Sequence, residues 1–198
     1  MTGNAAPPDV AARAVALGAS QDEAELTAAI VAVQRVRPAV IVEIGCDRGG
    51  TLYAWRQVCP WVLGITTEDN GYASGGSGRL LVSHGAMVRT GDSHRPETRA
   101  WLVRTLLGQP VDVLVIDGDH SAAGVRADLA DYGPLVRAGG LIMLHDIAPS
   151  NDPRGADVAG VWAGLWPQYQ TGEIRLAASG YGWGLIRVRA GDRFDQEG

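Results

Sequence analysis

The sequence reads as a single α/β domain, a mostly parallel sheet with helices on both faces. Three observations lead there. Short apolar, β-branched runs alternate along the chain with stretches of helical character, the order that builds parallel sheets. Its 198 residues with 46% hydrophobic content suffice for one sizeable core but hardly for two. No internal repeat or interdomain linker interrupts the pattern, so one domain is expected over residues 1–198.

The elements follow in order. Residues 1–12, polar and Pro-containing at the start, are expected to be disordered, and 13–37 to form an N-terminal helical segment. Within it "SQDEAELTAAIVAVQRVRP" places Ser20 as N-cap and Glu23 three residues on, a capping-box pattern for a helix ending before Pro38. "AVIVEIG" is a strand closed by glycine, and "TLYAWRQV" is the helix after it. "WVLGITT" and "AMVRTGD" are strands around the Gly/Ser-rich loop "NGYASGGSG", and "PETRAWLVRTLL" is a helix. "VDVLVID" is a strand buried on both faces, "SAAGVRADLADYGPLVRA" a helix, and "GGLIMLHDI" a further strand. A last helix is expected from 155 to 169, then a closing antiparallel hairpin of "EIRLAAS" and "GWGLIRVR".

Composition excludes several functions. The net charge is −5 and the 17 basic residues are scattered, which leaves no electrostatic footprint for a nucleic acid. All 17 are arginine, so Schiff-base, P-loop-lysine and lysine-base chemistry is absent. Two cysteines make neither a disulfide framework nor a CxxC site. Neither a signal peptide nor a membrane-length apolar run is visible, and a soluble cytoplasmic protein is expected, with homo-oligomerisation left open.

In "VEIGCDRGGT" the glycines fall at 45, 49 and 50, so the loop can turn tightly and bring backbone N–H groups to a ligand at a helix N-terminus. A dinucleotide site would carry G-x-G-x-x-G instead. The pattern E-x-G-x-x-x-G-G-T resembles the first motif of class I S-adenosylmethionine-dependent methyltransferases, particularly the small catechol-type O-methyltransferases. "GDSHRPET", "VDVLVIDGDHSAAGVRADL" and "LVRAGGLIMLHDI" look like successive blocks of a group that includes macrolide-sugar O-methyltransferases and cephalosporin hydroxylase-like proteins. The resemblance covers residues 38 to 189, the expected cofactor-binding core. It implies a Rossmann-like seven-stranded sheet whose last strand is antiparallel, with the cofactor over the carboxyl ends of the first strands.

Carried over by residue, the resemblance implies that Gly45, Asp47 and Gly49 line the methionine and ribose end of S-adenosylmethionine, with Glu43 supporting the loop. Asp92 and Ser93 match the segment beside the adenine ring. The acid that usually meets the ribose hydroxyls has no strict counterpart: alignment puts Thr66 there, and Glu68 serves if the strand runs two residues longer, with Asp69 as a further candidate.

Strand ends supply the remaining chemistry. The first polar groups after "VDVLVI" emerge at the carboxyl edge of the sheet, where open α/β folds bind ligands, so Asp117 faces the site. The strand of "GGLIMLHDI" ends alike, in His145 and Asp146. Asp117, His145 and Asp146 can hold a divalent cation, Mg²⁺ or Mn²⁺, and the Asp117–His145 spacing matches that of the metal-binding aspartates of catechol-type enzymes. Imidazole departs from that family's usual carboxylate or amide ligand and favours softer ions; alternatively His145 sits behind the ligands. His120 stands where macrolide-sugar enzymes carry a histidine base. In a chain without lysine it is the side chain here that titrates near neutrality, so the general base is assigned to it. Asp119 is read as a helix cap, His84 as a surface residue, and His94 as either a cap or an acceptor-pocket residue. The expected activity is metal-assisted methyl transfer to a hydroxyl of a small molecule such as a secondary metabolite, a sugar or a phenol. The alternatives are a cephalosporin hydroxylase-like protein and a non-catalytic cofactor-binding module.

Overall fold

A computed structural model describes residues 7–67, 85–148, 156–176 and 180–194. Seven strands form one sheet in the order β3-β2-β1-β4-β5-β7-β6. They are β1 (Val40–Ile44), β2 (Trp61–Thr66), β3 (Met87–Thr90), β4 (Val111–Ile116), β5 (Val136–His145), β6 (Gln170–Ile174) and β7 (Trp183–Arg187). Pairing is parallel from β3 to β5, and β7 runs antiparallel to both its neighbours. This is the Rossmann-like sheet with an antiparallel closing strand that the sequence implies.

Strand side chains alternate between two cores because successive residues point to opposite faces. Val42, Ile44, Leu114, Ile116, Ile142 and Leu144 pack on one face, with Leu102 of α4 (Pro96–Leu106), Leu129 of α5 (Ala122–Tyr132) and Val161 of α6 (Ala156–Leu165). Ile41, Val113, Val115 and Met143 pack on the other, with Val10 of α1 (Pro7–Ala16), Ile30 and Val33 of α2 (Glu23–Val36), and Leu52 and Trp55 of α3 (Gly50–Val58). Among the described residues no helix is long and apolar enough to cross a membrane.

Four boundaries differ from expectation. Residues 7–12 belong to α1, which buries Val10, Ala11 and Ala14; the first turn accommodates Pro7 and Pro8, since its N–H groups need no helical partner. The N-cap of α2 is Asp22, whose carboxylate accepts from the N–H groups of Ala24 and Glu25, leaving Ser20 for another task. Helix α5 stops at Tyr132, because Pro134 offers no N–H to the ladder; a 3₁₀ turn over Gly133–Leu135 leads directly into β5. The closing hairpin starts earlier than expected, with β6 at Gln170, after α6 ends at Leu165.

Candidate active site

The strand order reverses between β1 and β4, and ligands of open α/β sheets bind outside the carboxyl ends at such a point. Gly45 follows β1 with φ +85°. Its N–H donates to Ile65 O at 2.9 Å, and the Asp117 N–H donates to Ile44 O at 2.8 Å. A Cβ on Gly45 would lie 2.0 Å from the Asp117 carbonyl oxygen, so only glycine lets the two strand ends meet this closely.

The rest of the glycine loop is held from several sides. Gly49 caps α3 at φ +81°, and Asp47 lies in the left-handed region, its carboxylate accepting from Ser20 Oγ at 2.8 Å. Glu43 is fully buried and accepts from Trp55 Nε1 at 3.1 Å. Burial pushes its carboxyl up to about 8 despite that bond, so it is mostly a neutral acid at pH 7, packed under the loop.

A cavity of about 340 Å³ opens on this edge, its wall including Gly45, Thr66, Asp92, Ser93, His94 and Asp119. Glu68, Asp69 and His84 lie outside the described residues. Thr66, at the end of β2, is buried and borders the cavity. Ser93 is fixed through its carbonyl, which accepts from Tyr132 OH at 2.6 Å. Behind the wall Asp128 is fully buried, with its Oδ1 3.3 Å from His94 Nε2; burial pushes that carboxyl up to about 6 although Ser93 and His94 oppose it.

The loop that contributes Gly118 and Asp119 to the cavity is flanked by Asp117 and His120, and Asp146, just after β5, completes an acid–histidine cluster. Asp117, His120 and Asp146 offer ligand atoms that all lie within 4.8 Å of one another. His120 Nε2 stands 3.3 Å from Asp117 Oδ1 and 3.3 Å from Asp146 Oδ2. Asp146 takes the left-handed region at φ +61°, which aspartate tolerates better than most residues. His145 is not in that trio. It lies beneath, 4% exposed, with Nδ1 3.3 Å from both Asp117 Oδ1 and Asp146 Oδ1, and its ring rests against Tyr181 and Trp183.

Electrostatics follow from this packing. Burial alone would raise the Asp117 carboxyl, but the two imidazoles outweigh it and hold it at about 2. The hydrogen bond to Asp117 raises His120 above its ordinary 6.5 against the opposing effect of burial. For His145 burial lowers the value, yet Asp117 and Asp146 together raise it. Asp119 accepts from the Ser121 N–H at 2.9 Å, and Ser121 caps α5. One contact escapes sequence reasoning: Gln21 Nε2 donates to Asp117 Oδ2 at 2.7 Å across 96 residues. A polar pair such as Ser20–Gln21 before a helix signals capping, and nothing local marks it as part of a distant site.

Trp162 and Trp166, one helical turn apart, divide their roles. Trp162 is buried and Trp166 half exposed, the rings meeting edge to face at 5.9 Å. Trp55 is fully buried in the core, while Trp101 is only partly buried.

A family model described as a methyltransferase domain matches residues 42–147, just over half of the chain. No curated protein matches. Among solved structures, the chain is similar to an O-methyltransferase from Bacillus cereus in complex with S-adenosylhomocysteine, at 16% identity and a TM-score of 0.64, covering 96% of this chain and 93% of that one. It is similar to TomG, an O-methyltransferase from Streptomyces achromogenes in complex with S-adenosylmethionine, at 16% identity and a TM-score of 0.64, covering 96% and 92%. It is also similar to MycE, a methyltransferase of the mycinamycin biosynthetic pathway in complex with Mg, S-adenosylhomocysteine and mycinamycin VI, at 18% identity and a TM-score of 0.67; the whole of this chain spans 57% of that one. At these identities the structural likenesses speak for the fold, and the match over β1 to β5 decides the family: the chain belongs to the methyltransferase-domain family.

Proposed function

We propose that the protein is an S-adenosylmethionine-dependent O-methyltransferase, assisted by a divalent cation, acting on a hydroxyl of a small molecule such as a secondary metabolite, a sugar or a phenol. The observation that carries this reading is the convergence of Asp117, His120 and Asp146 on the loop that also walls the cavity beside Gly45. The residues present fit both bound groups. Gly45, Thr66, Asp92 and Ser93 line an open cavity of about 340 Å³ at the carboxyl edge of the sheet, room for a nucleoside. Asp117 and Asp146, both of low exposure, lie on either side of His120 Nε2 at 3.3 Å each, and their carboxylate oxygens are donors suited to Mg²⁺ or Mn²⁺.

A bound S-adenosylmethionine supplies an electrophilic methyl group, and a divalent cation held by Asp117 and Asp146 supplies Lewis acidity that eases loss of the acceptor's hydroxyl proton. His120 takes that proton at Nε2. It suits the task because its side chain is 31% exposed, within reach of an acceptor, and because imidazole is the side chain whose ordinary titration lies nearest neutrality. His145, buried and contacting both carboxylates through Nδ1, holds them in place. The Gly45–Gly50 loop orients the cofactor end, so the chain's contribution is alignment plus proton removal.

Transfer of label from S-adenosylmethionine to a panel of catechols, flavonoids and deoxysugar glycosides tests the reading. Transfer to a hydroxyl is expected, abolished by EDTA and restored by Mg²⁺ or Mn²⁺. Full transfer after exhaustive chelation would remove the cation from the account, and labelling at nitrogen or carbon alone would remove the O-methyl assignment.

A further inference from the structure

We infer that Gln21, on the connection between α1 and α2, is a positioning residue for the cation site: its side-chain amide ties back one oxygen of Asp117 so that the other is presented to the cation. The inference rests on the proposed function, and Gln21 lies outside the segment that the methyltransferase family model matches.

The two oxygens of Asp117 have separate partners. Oδ2 accepts from Gln21 Nε2 at 2.7 Å, while Oδ1 lies 3.3 Å from His120 Nε2 and 3.3 Å from His145 Nδ1. A carboxylate free at one oxygen rotates about its Cβ–Cγ bond, whereas a charge-assisted N–H···O⁻ bond at 2.7 Å arrests that rotation. The amide's own orientation is forced as well. Exchanging its nitrogen and oxygen would set a carbonyl dipole against an anionic oxygen, so the donor must face Asp117.

The platform beneath Gln21 is rigid. Asp22, its neighbour, accepts from the N–H groups of Ala24 and Glu25 and starts α2. Ser20, on the other side, donates to Asp47. Ala19 N donates to Ala14 O at 3.0 Å, and a Cβ on Gly50 would lie 2.2 Å from Ala19 N and 2.4 Å from Ala14 O. The connection therefore lies directly on the N-terminus of α3. Gln21 is 9% exposed, and its Oε1 is buried without a hydrogen-bond partner among the described residues. An acceptor left unmet in the interior is a cost to the fold, so stability alone disfavours the arrangement. A residue kept for packing would serve better as leucine or methionine; what only glutamine supplies here is the donor to Asp117.

Supporting residues of this kind typically alter metal affinity by about 10–100-fold. The test is calorimetric titration of the full chain with Mn²⁺ and, separately, with S-adenosylhomocysteine, for the wild type, Gln21→Ala and Gln21→Met. The methionine variant keeps the volume and guards against loss of fold. Thr27→Ala, a change at a half-buried position of α2 that removes a bond to Glu23 O, serves as a control for helix stability. Both Gln21 variants are expected to bind Mn²⁺ about 10–100-fold more weakly, with S-adenosylhomocysteine affinity and melting temperature close to wild type. Wild-type Mn²⁺ affinity in both would overturn the inference while leaving the cation reading intact. Equal losses of Mn²⁺ and S-adenosylhomocysteine binding would overturn it in favour of a purely structural role. If the wild type itself binds no Mn²⁺, the cation reading fails and takes the inference with it.

Discussion

Gly45→Ala is the most informative single substitution, because one added carbon meets backbone that cannot swing aside. Two costs are separable. At φ +85° any side chain incurs about 1–2 kcal/mol of left-handed strain. The new Cβ would also stand 2.0 Å from Asp117 O and 2.5 Å from Gly118 Cα, where ordinary contact begins near 3.4 Å. The ends of β1 and β4 must part by roughly 1 Å, an overpacking cost of about 1–3 kcal/mol. The two together come to about 2–5 kcal/mol, which at roughly 2–4 °C per kcal/mol for a domain of this size lowers the melting temperature by roughly 4–20 °C. Gly108→Ala isolates the first cost, since Gly108 has φ +79° and a Cβ there would meet nothing within 4 Å. Calorimetric melting of both variants, with S-adenosylhomocysteine titration of each, is the assay. Gly45→Ala should lose more stability than Gly108→Ala and should also lose cofactor affinity. Equal destabilisation with unchanged affinity would refute the claim that this contact shapes the site.

Three further outcomes are expected. Glu43 titrates at about 8 in the folded chain against an ordinary 4.5, so the folded state keeps a proton that the unfolded state has lost. Stability is therefore fully present below about pH 4.5 and falls as pH rises toward about 8. Glu43→Gln should remove this slope and gain on the wild type across that window in urea unfolding; a constant difference between the two proteins would contradict it. His120→Ala should lower turnover by about 10²–10⁴-fold with little change in cofactor affinity. The wild-type rate should rise with pH as the imidazole loses its proton, from a value that Asp117 raises above 6.5 and that a shared cation lowers again. An unchanged rate and pH profile in the variant would leave His120 as a helix-end residue. Asp146→Asn should weaken Mn²⁺ binding measured by calorimetry, and retention of wild-type affinity would take Asp146 out of the ligand set.

Legibility in the sequence tracks how local the determining physics is. Strands β1 and β4 are buried along their whole length, and such continuous apolar runs announce themselves. So do the positions just after buried strands, which is why Asp117, His145 and Asp146 are read together from the ends of β4 and β5, whereas His120 is read from the family resemblance and the absence of lysine, and only the structure puts it in place of His145. Helix caps are harder, because Ser20 and Asp22 are equally good caps by type, and only the tertiary partner Asp47 decides that Ser20 turns away from the helix. The start of β5 is hidden by "DYGPLVRA", helical in composition until Pro134 intervenes. The places of the two histidines depend on what packs around them: Tyr181 and Trp183 draw His145 under the sheet edge, and aromatic contacts from a distant hairpin leave no trace near residue 145. Gln21 is the extreme case, a single hydrogen bond spanning 96 residues with no periodicity to betray it.

A crystal structure of the chain grown with S-adenosylhomocysteine and Mn²⁺ tests the central claim most directly. The account predicts the nucleoside in the cavity between Gly45 and Ser93 and an anomalous Mn²⁺ peak between the carboxylates of Asp117 and Asp146. Cofactor density elsewhere, or an empty cavity at saturating ligand with no anomalous peak at those aspartates, would contradict it.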